Sequence, residues 1–124
     1  MLEKIINAAK MLVGENFRSH FLCYNGPQLV EMLIPEEEEF ESFIIPLKEK
    51  IEEVVQIKGV NRVYGVFNKN FQDIGRGVLI IEIQKYHIVA VRLVPLEEGC
   101  EKEIVALESQ KDIFPYIREI QQIL

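Results

Sequence analysis

Val78-Leu79-Ile80-Ile81-Glu82-Ile83-Gln84-Lys85-Tyr86-His87-Ile88-Val89-Ala90-Val91-Arg92-Leu93-Val94 is the stretch on which the fold turns. It reads as two strands, 78–84 and 87–94, joined tightly by Lys85-Tyr86. In the first, Leu79, Ile81 and Ile83 point one way while Glu82 and Gln84 point the other, the two-residue period of a pleated strand. The second carries Ile88, Val89, Val91, Leu93 and Val94 around Arg92. A hairpin of this kind calls for an antiparallel sheet with apolar surface to cover.

Working outward, further strands are expected at 60–67, 18–24 and 28–34. Asn25-Gly26, between the last two, tolerates positive φ and marks a hairpin turn, which Pro27 lengthens. Residues 68–77 read as a long polar, glycine-bearing loop.

Three helices complete the chain. Leu2, Ile5, Ile6, Ala9, Leu12 and Val13 recur at helical spacing over 2–13, and Gly14 is a natural stop. Over 36–57, Phe40, Phe43, Ile44, Leu47, Ile51, Val54 and Val55 keep one face, and Glu36 to Glu39 oppose the positive end of the helix dipole. Pro46 either kinks this helix or begins it, with Phe40 to Ile45 then forming a strand. Residues 112–123 form the last helix, with Asp112 as its cap and Pro115 in the first turn. Segment 98–108 is expected to be a short helix. The order α-β-β-α-β-β-β-α gives an α/β (α+β) class: a five-stranded antiparallel sheet flanked by helices, one domain over 1–124.

Composition narrows the function. The chain has 124 residues and a formal net charge of −6. An acidic surface repels phosphate backbones and anionic membranes. The arginines, Arg18, Arg62, Arg76, Arg92 and Arg118, are scattered rather than striped, so no nucleic acid and no membrane partner is expected. No stretch suits a signal peptide or a bilayer span, which points to a cytoplasmic protein. Abundant Glu and Ile with scarce Asp give a thermophile-like composition.

No motif carries chemistry. His20 and Cys23 are three apart and on opposite strand faces, and His87 and Cys100 are distant, so no zinc pattern forms. Neither cysteine lies where a thiolate would be activated. Gly75-Arg76-Gly77 is a fragment before a strand rather than a phosphate loop. Glu36 to Glu39 lack the loop spacing of a calcium site. No cofactor, metal or catalytic residue is assigned, and the chain is expected not to be an enzyme.

The hairpin Phe21-Leu22-Cys23-Tyr24-Asn25-Gly26-Pro27-Gln28-Leu29-Val30, the Pro35-Glu36 lead into a long helix, and Gly77 to Val94 followed by Pro95-Leu96-Glu97-Glu98-Gly99 resemble the Roadblock (dynein light-chain) family in element order. Pro46, the loop at 68–77 and segment 98–110 depart from it and leave a profilin-like, longin or PAS-type domain open. The resemblance implies a homodimer formed through the long helix and third strand, 36–57 and 60–67 here. The interface would use Phe40, Phe43, Leu47, Ile51, Val63, Tyr64 and Phe67. If strand 60–67 is a sheet edge, no proline or internal lysine guards it against pairing. The implied role is a non-enzymatic interaction or scaffold module that regulates or anchors a small Ras-like GTPase or signalling complex. The alternative is a small-molecule-sensing domain of PAS or profilin-like type, with a pocket lined by Phe21, Tyr64, Phe67 and Leu79.

Overall fold

Six antiparallel strands form one sheet: β1 (His20–Asn25), β2 (Gln28–Leu33), β3 (Arg62–Phe71), β4 (Gly75–Gln84), β5 (His87–Pro95) and β6 (Cys100–Val105), in the order β2-β1-β3-β4-β5-β6. The helices are α1 (Leu2–Ala9), α2 (Phe40–Lys58) and α3 (Phe114–Ile123). This computed structural model describes the backbone of residues 1–35 and 40–124 and the side chains of 1–35 and 47–124.

The sheet is sandwiched. On one face Leu47, Ile51 and Val54 of α2 and Ile117 and Ile120 of α3 meet Phe21, Val63, Phe67, Leu79, Ile81 and Ile83. On the other, Ile5, Ile6 and Ala9 of α1 meet Val66, Val78, Ile80, Val91 and Leu93. Each such buried aliphatic side chain contributes about 1.5–3 kcal/mol relative to exposure. The two apolar rows of β4, odd residues to one side and even to the other, explain why this strand reads as nearly continuous hydrophobic sequence.

Five expectations change. The sheet has six strands instead of five, because segment 98–108 forms β6 followed by a 3-10 turn at Leu107–Ser109. Its Glu101-Lys102-Glu103 carries no helical or strand periodicity of hydrophobicity. The ladder with β5 holds it, with Lys102 bonded to Glu3 (2.7 Å) and Glu103 to Arg92 (2.9 Å). The expected loop at 68–77 is mostly ladder: β3 runs on to Phe71, opposite Gly75. Its polar residues are satisfied by tertiary partners, Asn68 Nδ2 donating to Phe17 O and Lys69 Nζ to Asp112. Asp112 therefore serves Lys69 and caps nothing; Ile113 occupies the N-cap.

Pro46 lies within α2, so the alternative of a strand over 40–45 gives way to helix. The acidic run 36–39 lies outside the described residues. Finally, β3 is interior. It pairs with β1 through Cys23↔Val63 and with β4 through Val63↔Ile83, so it offers no free edge.

Candidate functional site: the open half of the sheet

Register places side chains in rows across the α1 face. One row is Leu29–Tyr24–Arg62–Gln84–His87, and the next is Met32–Leu22–Tyr64–Glu82–Val89. The following rows, which include Val66, Ile80, Val91, Val78 and Leu93, lie under α1. An eight-residue helix is about 12 Å long and about 10 Å wide with its side chains. Five strand spacings make the sheet about 24 Å across. One helix of that size cannot roof the whole face, and at the β2 end of the first two rows Leu29 and Met32 stay exposed.

These two rows run from an exposed apolar end to a buried polar centre. Towards the β2 edge, Leu29 is 44% and Met32 50% exposed, beside half-buried Leu22 and Tyr24; Ile34, just past the strand, is 51% exposed. Towards the centre lies a buried carboxylate. Glu82 is 6% exposed, yet its charge is well served. Tyr64 Oη donates to Oε2 at 2.7 Å, Gln84 Nε2 donates to Oε1 at 3.1 Å, and His87 Nε2 stands 3.8 Å from Oε1. The Tyr24 ring meets Tyr64 edge-on at 5.6 Å. Burial first, and then the bond to Glu82, pushes the Tyr64 phenol well above its ordinary value. It stays a neutral donor at physiological pH, which suits a fixed hydrogen bond and not a proton-transfer role.

The sequence-predicted interface residues sit elsewhere. Leu47, Ile51, Val63 and Phe67 are buried in the core beneath α2 and α3, and Tyr64 is buried on the opposite face. The side chains of Phe40 and Phe43 lie outside the described residues. Side chains enclosed within one chain are not available to a second, so a partner must use other positions. The four residues expected to line a sensing pocket are split as well. Phe21, Phe67 and Leu79 pack under the helix pair, with the two phenylalanine rings 5.4 Å apart, while Tyr64 points through the other side of the sheet. Glu82 and Gln84 are legible as the polar side of β4; the burial of Glu82 against Tyr64 is not, because it depends on β3 being the neighbouring strand.

Both sheet edges carry protection. At β2 the register shifts between Cys23 and Tyr24, and Lys58 Nζ reaches the Val30 carbonyl (3.3 Å) and Glu31 (2.7 Å). At β6, Glu101, Lys102 and Glu103 line the strand. Bulges and charges of this kind discourage strand addition. A second cluster ties the β3–β4 turn down: Arg92 makes paired bonds to Asp73 (2.8 and 2.9 Å) and stacks on Phe71 at 5.4 Å. The guanidinium holds the Asp73 carboxyl below its usual range. This cluster joins the end of β3 and the β3–β4 turn to β5 and, through Glu103, to β6, and is structural.

Among the described residues no group of three or more His, Cys, Asp or Glu side chains is placed to hold a metal ion. The thiols are free and lie on opposite faces, Cys23 under α2 and Cys100 beside the α1 cluster. Desolvation, reinforced by the nearby Glu31 charge, pushes the Cys23 thiol up to about 12. Iodoacetamide at neutral pH is expected to modify half-buried Cys100 first, with Cys23 labelled at least tenfold more slowly. Peptide mapping over a time course checks this; Cys23 reacting first would contradict the placement of β1.

No helix among the described residues is long and apolar enough to cross a membrane. No protein-family model matches the chain, and neither a curated protein nor a solved structure matches it.

Proposed function

We propose that this chain is a non-enzymatic interaction module that works as a homodimer, the second copy covering the open half of the sheet. The observation that carries this reading is the exposure of Leu29 and Met32 beside Leu22 and Tyr24, on a sheet face that α1 is too short to roof. Contiguous apolar surface of this kind marks an interaction site. Because both edges are blunted, the contact is face to face rather than strand to strand. Burial keeps the Cys23 thiol protonated and the Tyr64 phenol a neutral donor, so neither supplies a nucleophile. A small Ras-like GTPase or signalling complex as the further partner rests on the Roadblock-like element order that the sequence presents over most of the chain. A cytoplasmic setting, where free thiols persist, belongs to the same reading.

Light scattering tests it. The parent chain is expected to have the mass of a dimer at micromolar concentration. Met32→Lys, which introduces a charge into a half-exposed position, is expected to give a folded monomer with an unfolding midpoint near that of the parent. A parent chain that stays monomeric at high concentration, or a Met32→Lys chain that stays dimeric, refutes the proposed face.

A further inference from the structure

On the opposite edge of the sheet, β5 outlasts its neighbour. Hydrogen-bond parity shows which backbone groups this leaves open. Asn68 N–H turns away from β4 to Ser19 Oγ (3.0 Å), so odd-numbered β3 residues bond to β4. Carried through the register, Gln84, Glu82 and Ile80 bond to His87, Val89 and Val91. Leu96 N–H, bonded to Gly99 O at 3.1 Å at the far turn, gives the same parity. Ile88, Ala90 and Arg92 therefore direct N–H and C=O outward, towards β6. Ala90 meets Val105, the last residue of β6, and the chain then departs into the 3-10 turn at Leu107–Ser109. The β5–β6 register ends at Ala90↔Val105, and no turn, loop or cap bond among the described residues reaches the Ile88 backbone.

A groove of about 510 Å³ opens at this point. Val105, Leu107 and Phe114 give it apolar walls, and exposed Tyr86 and Ile104 flank its mouth. Arg118 of α3 enters it, stacked on Phe114 at 5.9 Å and donating to Gln121 Oε1 at 3.0 Å. Among the described residues it has no carboxylate partner, although the chain is acidic overall. Glu108 is the one acid lining the groove and disfavours a multiply charged anion there.

We propose that this groove binds an extended apolar peptide ending in a free carboxylate. The peptide continues the line of β6, exchanging backbone hydrogen bonds with Ile88, and lays its carboxylate against Arg118. Backbone pairing supplies register, the walls take a branched aliphatic side chain, and the guanidinium supplies an acceptor-specific contact. The site is independent of the Met32 face, which lies across the sheet.

The test is an amide-resolved NMR titration of the full chain with acetyl-Val-Ile-Leu as the free acid and as its C-terminal amide. The acid is expected to shift the Ile88 amide saturably, slow its hydrogen exchange, and bind at least tenfold more tightly than the amide. Arg118→Gln, at an exposed position, is expected to fold normally and abolish the difference between acid and amide. No saturable shift at Ile88, equal affinity of the two peptides for the parent chain, or shifts centred on Leu29 and Met32 would overturn the proposal.

Discussion

Val63→Lys is expected to remove at least about 4 kcal/mol of folding stability. Val63 is fully buried near the start of β3, paired with Cys23 on one side and Ile83 on the other, beneath the helix pair. A lysine there must bury an unpaired ammonium or pull β3 out of two ladders. Either route costs more than about 4 kcal/mol, the range reserved for core charges. A domain of this size holds about 5–15 kcal/mol in total. Far-UV circular dichroism and a urea titration would show a folded chain with a much lower urea midpoint than the parent's. On the edge-strand reading the same substitution would instead leave a folded chain unable to associate. A folded Val63→Lys monomer with the parent's urea midpoint would thus displace β3 from the interior.

Gly65→Ala is expected to destabilise the protein by about 1–3 kcal/mol, the usual cost of overpacking by one methyl group. Gly65 lies opposite Phe21 in the β1–β3 ladder, and Phe67 lies two residues further on the same face. A Cβ at position 65 would meet the Phe67 ring at 2.6 and 2.7 Å and the Phe21 ring at 3.3 Å. The edge-to-face pair of those rings exists because residue 65 has no side chain. Aromatic cover over a strand glycine also offsets the weakness that glycine brings to a ladder. Urea midpoints of Gly65→Ala, Phe67→Leu and the double variant measure the coupling. The double variant is expected to lose less than the sum of the singles, since leucine frees the space the new methyl needs. An alanine chain as stable as the parent would mean the rings shift without cost.

The strong periodicities were read correctly because local burial alone sets them. The β4–β5 hairpin, the first hairpin at Asn25-Gly26 and the stripes of α1 and α3 each present an alternation that solvent and core impose along the chain. β6 was missed because Glu101-Lys102-Glu103 at an edge is exposed on both sides and shows no such alternation. The end of β3 reads as loop because Asn68, Lys69 and Asn70 are polar, and the partners Phe17 of Asn68 and Asp112 of Lys69 are distant in sequence.

The candidate site was less legible than the fold. Phe67, Val63 and Ile51 looked like interface residues because they are apolar, and apolarity does not say whether the covering surface belongs to the same chain. The open face requires strand order: Leu29, Tyr24, Arg62, Gln84 and His87 come from five strands, and only the register makes them neighbours.

Taken by itself, the sequence determined the antiparallel class, the helices, and the apolar faces of the strands, since these follow from periods of two and 3.6 residues. Strand order was decided by tertiary structure alone. Placing β3 between β1 and β4 turns a supposed edge into the centre of the core, buries Glu82 against Tyr64, and leaves an eight-residue helix to cover a face too wide for it. The physical reason is that a strand's own residues specify which side faces the core, while its neighbours are chosen by the summed packing of every element at once.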